Sequence, residues 1–324
     1  MPAPFRPIPA EVLDYYGRSE ERSRLRSVRG RLEFERTKEL ILRFLPRRRT
    51  VVYDVGGGPG SYAVWLSRLG HEVHLLDPVP RHLRQARAAA RTRGDPLAEV
   101  VPGDARDLPF PSASADVVLL LGPLYHLLDR DDRGRALREA YRVLRPGGLL
   151  YGVGISRFDS MLEGAWHDFL ADRRFVRIVR RDLRTGRHRN YRRFPSFWTT
   201  AFFTHPRQLE REVHDAGFVS KGLFSVEGFL WWVPGLSRKW RDVTFRRRLL
   251  ELLRRTEQEP TLIGVGPHLM CVGAKPRRRR GGRGRRPALA ATPRATPAPT
   301  PTPGRLGPPP RTSLAGRRTG EHPR

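Results

Sequence analysis

Apolar positions in the first half of the chain fall into two alternating rhythms. Val51, Val52 and Tyr53 form a compact β-branched and aromatic run of the kind a buried strand prefers. From Ser61 the spacing turns helical, with Tyr62, Trp65, Leu66 and Leu69, and Gly70 ends it. Glu72 to Leu76 reads as a second strand. A helix from Pro80 through Ala90, ending near Gly94, precedes a short strand at Glu99 to Val101. Val117 to Leu121 is continuously apolar, as a parallel strand buried on both faces should be. Arg133 to Leu144 is helical with Leu137, Ala140, Val143 and Leu144 inward. Arg145-Pro146-Gly147-Gly148 then turns the chain into a strand at Leu149 to Val153. Strands alternating with helices predict βαβ units, right-handed crossovers and an α/β fold.

The flanks are less regular. Residues 1–10 are proline-rich, and Glu11 to Val28 can form a charged helix with Leu13, Tyr16 and Leu25 available for packing. Gly30 is expected to break it before an amphipathic helix at Leu32 to Leu45, closed by Pro46 and Arg47 to Arg49. From Arg157 to Phe203 the alternation lapses into arginines and aromatics, with a helix near Met161 to Ala171. It resumes with a helix at Pro206 to Ala216, a strand at Phe218 to Val226, a long basic helix at Ser237 to Thr256 and a strand at His268 to Ala274. From Pro276 the chain is arginine, proline, threonine and glycine, with too little apolar surface to offset the entropy of ordering, and disorder is expected.

Charge changes this picture little. The net charge is +29, but 58 arginines stand against 4 lysines, an imbalance that reads as drift in a GC-rich genome rather than as a nucleic-acid signature. The tail alone supplies +12, with 13 arginines and one glutamate. One cysteine, Cys271, rules out an internal disulfide and fits a reducing compartment. Residues 1–20 lack the apolar core of a signal peptide, and the run Val117 to Leu128 is too short to span a bilayer. A cytoplasmic protein without a membrane partner is expected.

The chemistry concentrates between Asp54 and Asp77. Asp54 is followed by Gly56, Gly57, Gly58 and Gly60, interrupted only by Pro59. Glycines permit positive φ and let a ligand approach the backbone. The helix that follows presents unpaired N–H groups at the turn. Asp77, at the end of the next strand, stands 21 residues after Gly56, where it can accept hydrogen bonds from ribose hydroxyls. The unit reads as a site for an adenosine-bearing cofactor. Which one stays open, because Gly58-x-Gly60-x-x-Ala63 also fits the dinucleotide fingerprint.

Over roughly residues 11–275 the chain resembles the class I (Rossmann-like) methyltransferases that use S-adenosyl-L-methionine. The resemblance is carried by Asp54-Val55-Gly56-Gly57-Gly58-Pro59-Gly60, Asp77, Gly103-Asp104-Ala105, Leu121-Gly122-Pro123-Leu124-Tyr125-His126-Leu127, and Glu139 to Gly148. It implies a doubly wound, mostly parallel seven-stranded sheet with an antiparallel closing hairpin. It also implies a helical cap at 1–46, a methyltransferase domain at 47–275 with a lid insertion at about 157–204, and a tail at 276–324. Carried over, Gly56 to Gly60 would hold the amino-acid end of the cofactor with Asp54 beside them, Asp77 the ribose, and Asp104 with Ala105 the adenine. Leu121 to His126, with Gly122 among them, would lie beside the sulfonium; where an alcohol, phenol or protonated amine needs a general base, His126 is the first candidate, with Tyr125 orienting the acceptor.

A sulfonium is already an activated donor, so no metal is required and no ligand cluster stands out in the sequence. The aromatics of the lid suit a small-molecule acceptor, and the ten arginines between Arg173 and Arg193, against the single acid Asp182, read first as a solvated basic face and next as a site for an anionic group. RNA is the alternative acceptor, though no aromatic stacking module is present. An NAD(P)-dependent oxidoreductase, or a cofactor-binding protein without catalysis, are the competing readings. Asp104 and the closing hairpin argue against the oxidoreductase. The oligomeric state is not encoded in any pattern found.

Overall fold

The structure is a computed structural model; it describes residues 7–18, 25, 27–94, 96–190 and 198–277. These lie within one compact unit, Met1–Arg278. The expected disorder of 276–324 concerns residues that, past 277, lie outside the described ones.

Five parallel strands form the centre: β1 (Val51–Val55), β2 (Glu72–Asp77), β3 (Glu99–Pro102), β4 (Ala115–Leu120) and β5 (Leu144–Ser156). Their order is β3-β2-β1-β4-β5, so the chain reverses its winding between β1 and β4. Each strand alternates between two buried faces. Tyr53 and Val55, Val118 and Leu120 join one core, while Val52, Val117 and Leu119 join the other. Period-two alternation with both faces apolar requires helices on both sides. Helices α3 (Ser61–Arg68) and α4 (Pro80–Arg93) send Ala63, Leu66, Leu83 and Ala86 to one core. After the short α5 (Pro123–His126), helix α6 (Arg130–Val143) sends Leu137, Ala140 and Val143 to the other. Gly94 stops α4 with φ of 67°.

The remaining edge of β5 is closed by an antiparallel hairpin. Strand β9 (His268–Ala274) pairs with β5 from Leu149↔Ala274 to Ile155↔His268, and β8 (Val219–Ser225) pairs with β9. This completes the seven expected strands. Two further short strands come from the irregular segment: β7 (Ala201–Thr204) runs parallel to β5 at Ile155↔Phe203, and β6 (Arg187–His188) pairs with β7. They exist because β5 extends to Ser156, past its last partner on β4, and leaves an edge to be covered.

Several boundaries differ from expectation. The first helix, α1 (Ala10–Arg18), is shorter, and residues 19–24 and 26 lie outside the described set. The next, α2 (Val28–Phe44), begins before Gly30, which is buried inside it; Ser27 caps it by accepting from Gly30 N at 3.0 Å. The side-chain cap, not the glycine, sets the helix start. In the irregular segment, α7 (Asp159–Trp166) and a 3₁₀ turn at Phe169–Ala171 precede α8 (Arg173–Thr185). Helix α9 (Pro206–Asp215) follows. The long basic helix is two, α10 (Leu236–Lys239) and α11 (Val243–Thr256), because Asp242 caps a new start by accepting from Phe245 N at 3.0 Å. No described helix is long and apolar enough to cross a membrane.

Helix α2 is held over the sheet by buried charge. Arg36, fully buried, pairs with Glu257 and with Glu39 at 2.5 Å and donates from Nε to Val226 O at 3.2 Å. Arg43 joins Glu257, and Arg254 reaches Glu39 at 2.6 Å. Tyr151 Oη on β5 donates to Ile41 O at 2.9 Å. Burial alone would raise Glu39, but Arg254 and Arg36 hold its carboxyl down at about 2. Arg36→Ala leaves Glu257 buried without its main partner and should cost about 3–5 kcal/mol in urea denaturation. Because Glu39 is depressed in the fold, its contribution is present above about pH 4.5 and should be lost as pH falls towards 2.

Candidate active site

A cleft opens at the carboxyl ends of β1 and β4, where the winding reverses and open α/β sheets bind ligands. Its wall combines apolar and polar side chains from the sheet, α1, α2 and β9. Its floor is the turn after β1. Gly56, Gly58 and Gly60 adopt φ of 68°, 55° and 82°, and the N–H groups of Gly56 and Gly57 donate to Leu76 O at 2.7 and 3.3 Å. A Cβ on Gly56 would meet Pro123 Cγ at 2.6 Å, and one on Gly57 would meet Asp54 Oδ2 at 2.7 Å. Gly58 has open space in front of it. Gly60 does not line the cleft; it starts α3 in the left-handed region and packs on Ala86, so its demand is conformational.

Asp54 and Asp77 both line the cleft and differ in environment. Asp77 Oδ2 accepts from Gly58 N at 2.9 Å, while Oδ1 accepts from Val79 N at 2.9 Å and faces His82 Nδ1 at 3.0 Å. Its carboxylate therefore holds the glycine turn and the chain entering α4 together. Asp54 is buried, and its Oδ2 makes no hydrogen bond. Burial first, and then the neighbouring Asp77, push it up to about 7.

Asp104 and Ala105 line the adjoining wall. Asp104 accepts from Arg106 N and Nε at 2.9 Å and from Nη2 at 2.6 Å, and Arg106 also reaches Asp132 at 2.9 Å. A carboxylate so engaged is a loop brace whether or not it meets a ligand. Leu121, Gly122, Tyr125 and His126 follow from the end of β4 through α5 and line the opposite side.

His126 is ill placed as a base. Its Nε2 lies 2.8 Å from Tyr16 Oη, its Nδ1 makes no hydrogen bond, and burial pushes it down to about 4. An imidazole so depressed is a weak proton acceptor. Tyr16 stands edge-on between His126 and His82, with ring centroids 5.1 and 5.7 Å away.

The roof is the N-terminal helical cap rather than the insertion. None of the described residues of 157–204 lines the cleft; the cover comes from α1 and α2 through Val12, Leu13, Tyr16, Glu33 and Thr37. The insertion packs elsewhere: β7 extends the sheet beside β5, and Thr200 Oγ1 donates to Glu11 Oε1 of α1 at 3.0 Å. Phe175 and Val179 are buried with Phe169 and Trp198, and His188 stacks on Phe203. Arg173, Arg177, Arg180 and Arg184, spaced 4, 3 and 4 residues apart, form the exposed stripe of α8 opposite that buried face. The arginines therefore give no support to an anionic acceptor. Tyr191, Phe194 and Phe197, and Arg192 and Arg193, lie outside the described residues.

The far wall was not foreseen. His268, at the start of β9, lies with Glu33 and Val226 beside Val153, and its ring is 6.5 Å from that of Tyr125. Glu227, fully buried, faces His268 Nδ1 at 2.7 Å and accepts from its backbone N–H at 3.2 Å. Among the described residues, Glu33, Glu227 and His268 are the one trio of such side chains whose donor atoms lie within 4.8 Å of one another. The short Glu227–His268 bond makes them an acid–base pair with a facing carboxylate. Sequence spacing gives no sign of this: three distant segments meet only after α2, β8 and β9 converge.

Cleft position, glycine turn, the two strand-end acids and the closing hairpin together define a class: the chain belongs to the class I S-adenosylmethionine-dependent methyltransferases. A methyltransferase-domain family model matches residues 53–152. A putative methyltransferase of Encephalitozoon cuniculi is 33% identical over 159 residues, 47% of this chain and 70% of that protein. The 2-methyl-6-phytyl-1,4-hydroquinone methyltransferase 2 of rice is 38% identical over 109 residues, 33% of this chain and 30% of that one. The chain thus spans about a third of the length of the plant relatives it matches. Among solved structures, a methyltransferase from Methanosarcina mazei superposes with a TM-score of 0.51 at 20% identity, covering 74% of this chain and 97% of that one. The putative methyltransferase bound to the Trm112 activator of Haloferax volcanii gives 0.52 at 19%, covering 82% and 98%. The expected cofactor is S-adenosylmethionine, and the dinucleotide reading falls away.

The cleft fits that cofactor. An unpaired Asp54 oxygen beside a turn whose Gly58 admits a ligand suits a group carrying positive charge. A cation there favours the Asp54 carboxylate, so S-adenosylmethionine binding should expel a proton near neutral pH. Its affinity should then rise as pH passes through about 7. Calorimetry in buffers of different ionisation enthalpy measures the proton directly, and Asp54→Asn should abolish its release.

Proposed function

We propose that this protein transfers a methyl group from S-adenosylmethionine, in line, to an oxygen or nitrogen of a small-molecule acceptor. The observation that carries the reading is the division of one cleft into two chemically distinct ends. At one end, the Gly56–Gly58 turn and Asp54 hold the amino-acid portion, Asp77 the ribose, and Asp104 with Ala105 the adenine. At the other, Tyr125, Val153, Val226 and His268 bring apolar and polar side chains to the same cleft. The cofactor supplies a methyl group on a positively charged sulfur, which needs no further activation.

The protein's own work is positional. Leu121 and Gly122 bring the acceptor space against the cofactor space, and α1 and α2 keep water out. Holding nucleophile and methyl at attack distance in a dry site accounts for most of the gain expected from such an enzyme. The plant relatives bear the name of a hydroquinone substrate, and an apolar space ending in a hydrogen-bonding wall suits a phenol or an aromatic amine here.

The test is S-adenosylhomocysteine release by the purified full chain with methylhydroquinone, catechol, 2-phenylethylamine and bulk RNA. Turnover with RNA alone would replace the small-molecule reading. Asp77→Ala should weaken S-adenosylmethionine binding by about 1.5–3 kcal/mol, roughly tenfold to more than a hundredfold, read by calorimetry at a temperature where the variant stays folded. Because the α8 stripe stands outside the described cleft wall, Arg177→Gln with Arg180→Gln should leave the acceptor KM and its salt dependence within about twofold. A larger change would return those arginines to the acceptor path.

A further inference from the structure

We infer that His82 is a further cofactor-binding residue: its Nε2 hydrogen-bonds one hydroxyl of the cofactor's ribose, beside Asp77, which takes the other. This rests on the methyl-transfer reading. It adds to the cofactor contacts a side chain that lies outside the residues carrying the family resemblance.

Asp77 runs short of acceptor positions. A carboxylate offers about four lone-pair sites, two on each oxygen. Oδ1 takes the N–H of Val79 at 2.9 Å and faces His82 Nδ1 at 3.0 Å, while Oδ2 takes the N–H of Gly58 at 2.9 Å. The protein itself therefore uses both sites on Oδ1 and one on Oδ2. What remains on Oδ2 serves one ligand hydroxyl, whereas a ribose presents two side by side.

His82 supplies the second position. Its ring is buried, at 4% exposure, and lines the cleft. Asp77 only accepts hydrogen bonds, so Nδ1 carries a proton and donates to it. Nε2 is buried too and has no hydrogen-bond partner among the described residues. Leaving a buried polar atom unpaired costs about 1–3 kcal/mol, so such an atom marks a place where a partner belongs. Two other cleft-lining side chains carry one: Asp54 at the glycine turn, and His126 on α5 beyond Tyr16. His82 is the one braced by Asp77, and its Nδ1 stands 3.9 Å from where a Cβ on Gly58 would lie. A hydroxyl both donates and accepts, so it satisfies Nε2 whether or not the ring is protonated. An ammonium or a carboxylate suits only one of those states.

Calorimetry with S-adenosylhomocysteine and its 2′-deoxy and 3′-deoxy counterparts tests this. Each deoxy compound should bind the wild type about tenfold more weakly than the parent, one losing the Asp77 contact and the other the His82 contact. His82→Asn keeps an amide N–H for Asp77 but places nothing at Nε2. It should bind the parent about tenfold more weakly, and one of the two deoxy penalties should vanish while the other stays. A histidine that only supports the fold would weaken all three ligands alike and leave both penalties in place. That result, in a variant whose circular dichroism matches the wild type, overturns the proposal. If the variant does not fold, the wild type decides. By nitrogen-15 NMR the His82 Nε2 resonance should shift with the parent and with one deoxy compound, and stay in place with the other. Equal shifts with all three, or none with any, would overturn the assignment. A wild type that binds neither S-adenosylmethionine nor S-adenosylhomocysteine would instead sink the methyl-transfer reading beneath it.

Discussion

The carboxylate of Asp77 ties together the three pieces from which the cleft is made. It ends β2, receives the N–H of Gly58 from the turn after β1, and receives the N–H of Val79 at the entry to α4. Hydrogen bonds to a charged group contribute about 1.5–3 kcal/mol each, and here two fix backbone that glycine would otherwise leave free. The same charge acts on its neighbour. Asp54, one strand away and buried without a partner for Oδ2, is raised to about 7 partly because Asp77 is beside it. One acid organises the turn, and the other is left poised for a cation.

That arrangement is possible because β1 sits between β2 and β4. Helices leave the carboxyl ends of these strands towards opposite faces of the sheet, so the strand ends part and backbone groups line the gap. Close packing then narrows it: Gly56 approaches Pro123 so tightly that a side chain at Gly56 has no room. The turn and the start of α5 are therefore packed into one surface of the cleft.

Legibility in the sequence followed the range of the interactions. The strands from β1 to β4, the helices between them and β9 were readable because their apolar periods report local burial. The parallel order and the hairpin came through the resemblance and agree with the pairing. What escaped was set by side chains acting over a few residues or across the whole chain. Ser27 moved the start of α2, and Asp242 split the basic helix. The Arg36–Glu257 pair spans 221 positions, and nothing in the local pattern around either residue announces it. The arginine-rich segment left two readings open, an exposed face and a pocket mouth for an anionic group. Its charges mark the outside of α8, while the period that mattered was Phe175, Val179 and Asp182 facing inward.

The same distinction separates the two histidines of the cleft. His126 drew attention because it follows a strand-end motif, yet it is buried and its Nε2 faces a tyrosine from α1. His268 lies in no motif, yet it joins a buried carboxylate, Glu227, to the wall of the cleft. Position along a family pattern identifies where a cofactor will sit, because cofactor contacts are made largely by backbone and by strand-end acids. Acceptor chemistry depends on side chains contributed by elements that meet late in the fold. In this protein those elements are α2, the segment after β8 and the first residue of β9. Their convergence is stabilised by the buried Arg36, whose Nε reaches Val226, the residue immediately before Glu227. The ion-pair network that seats α2 therefore also sets the geometry of the acid–base wall.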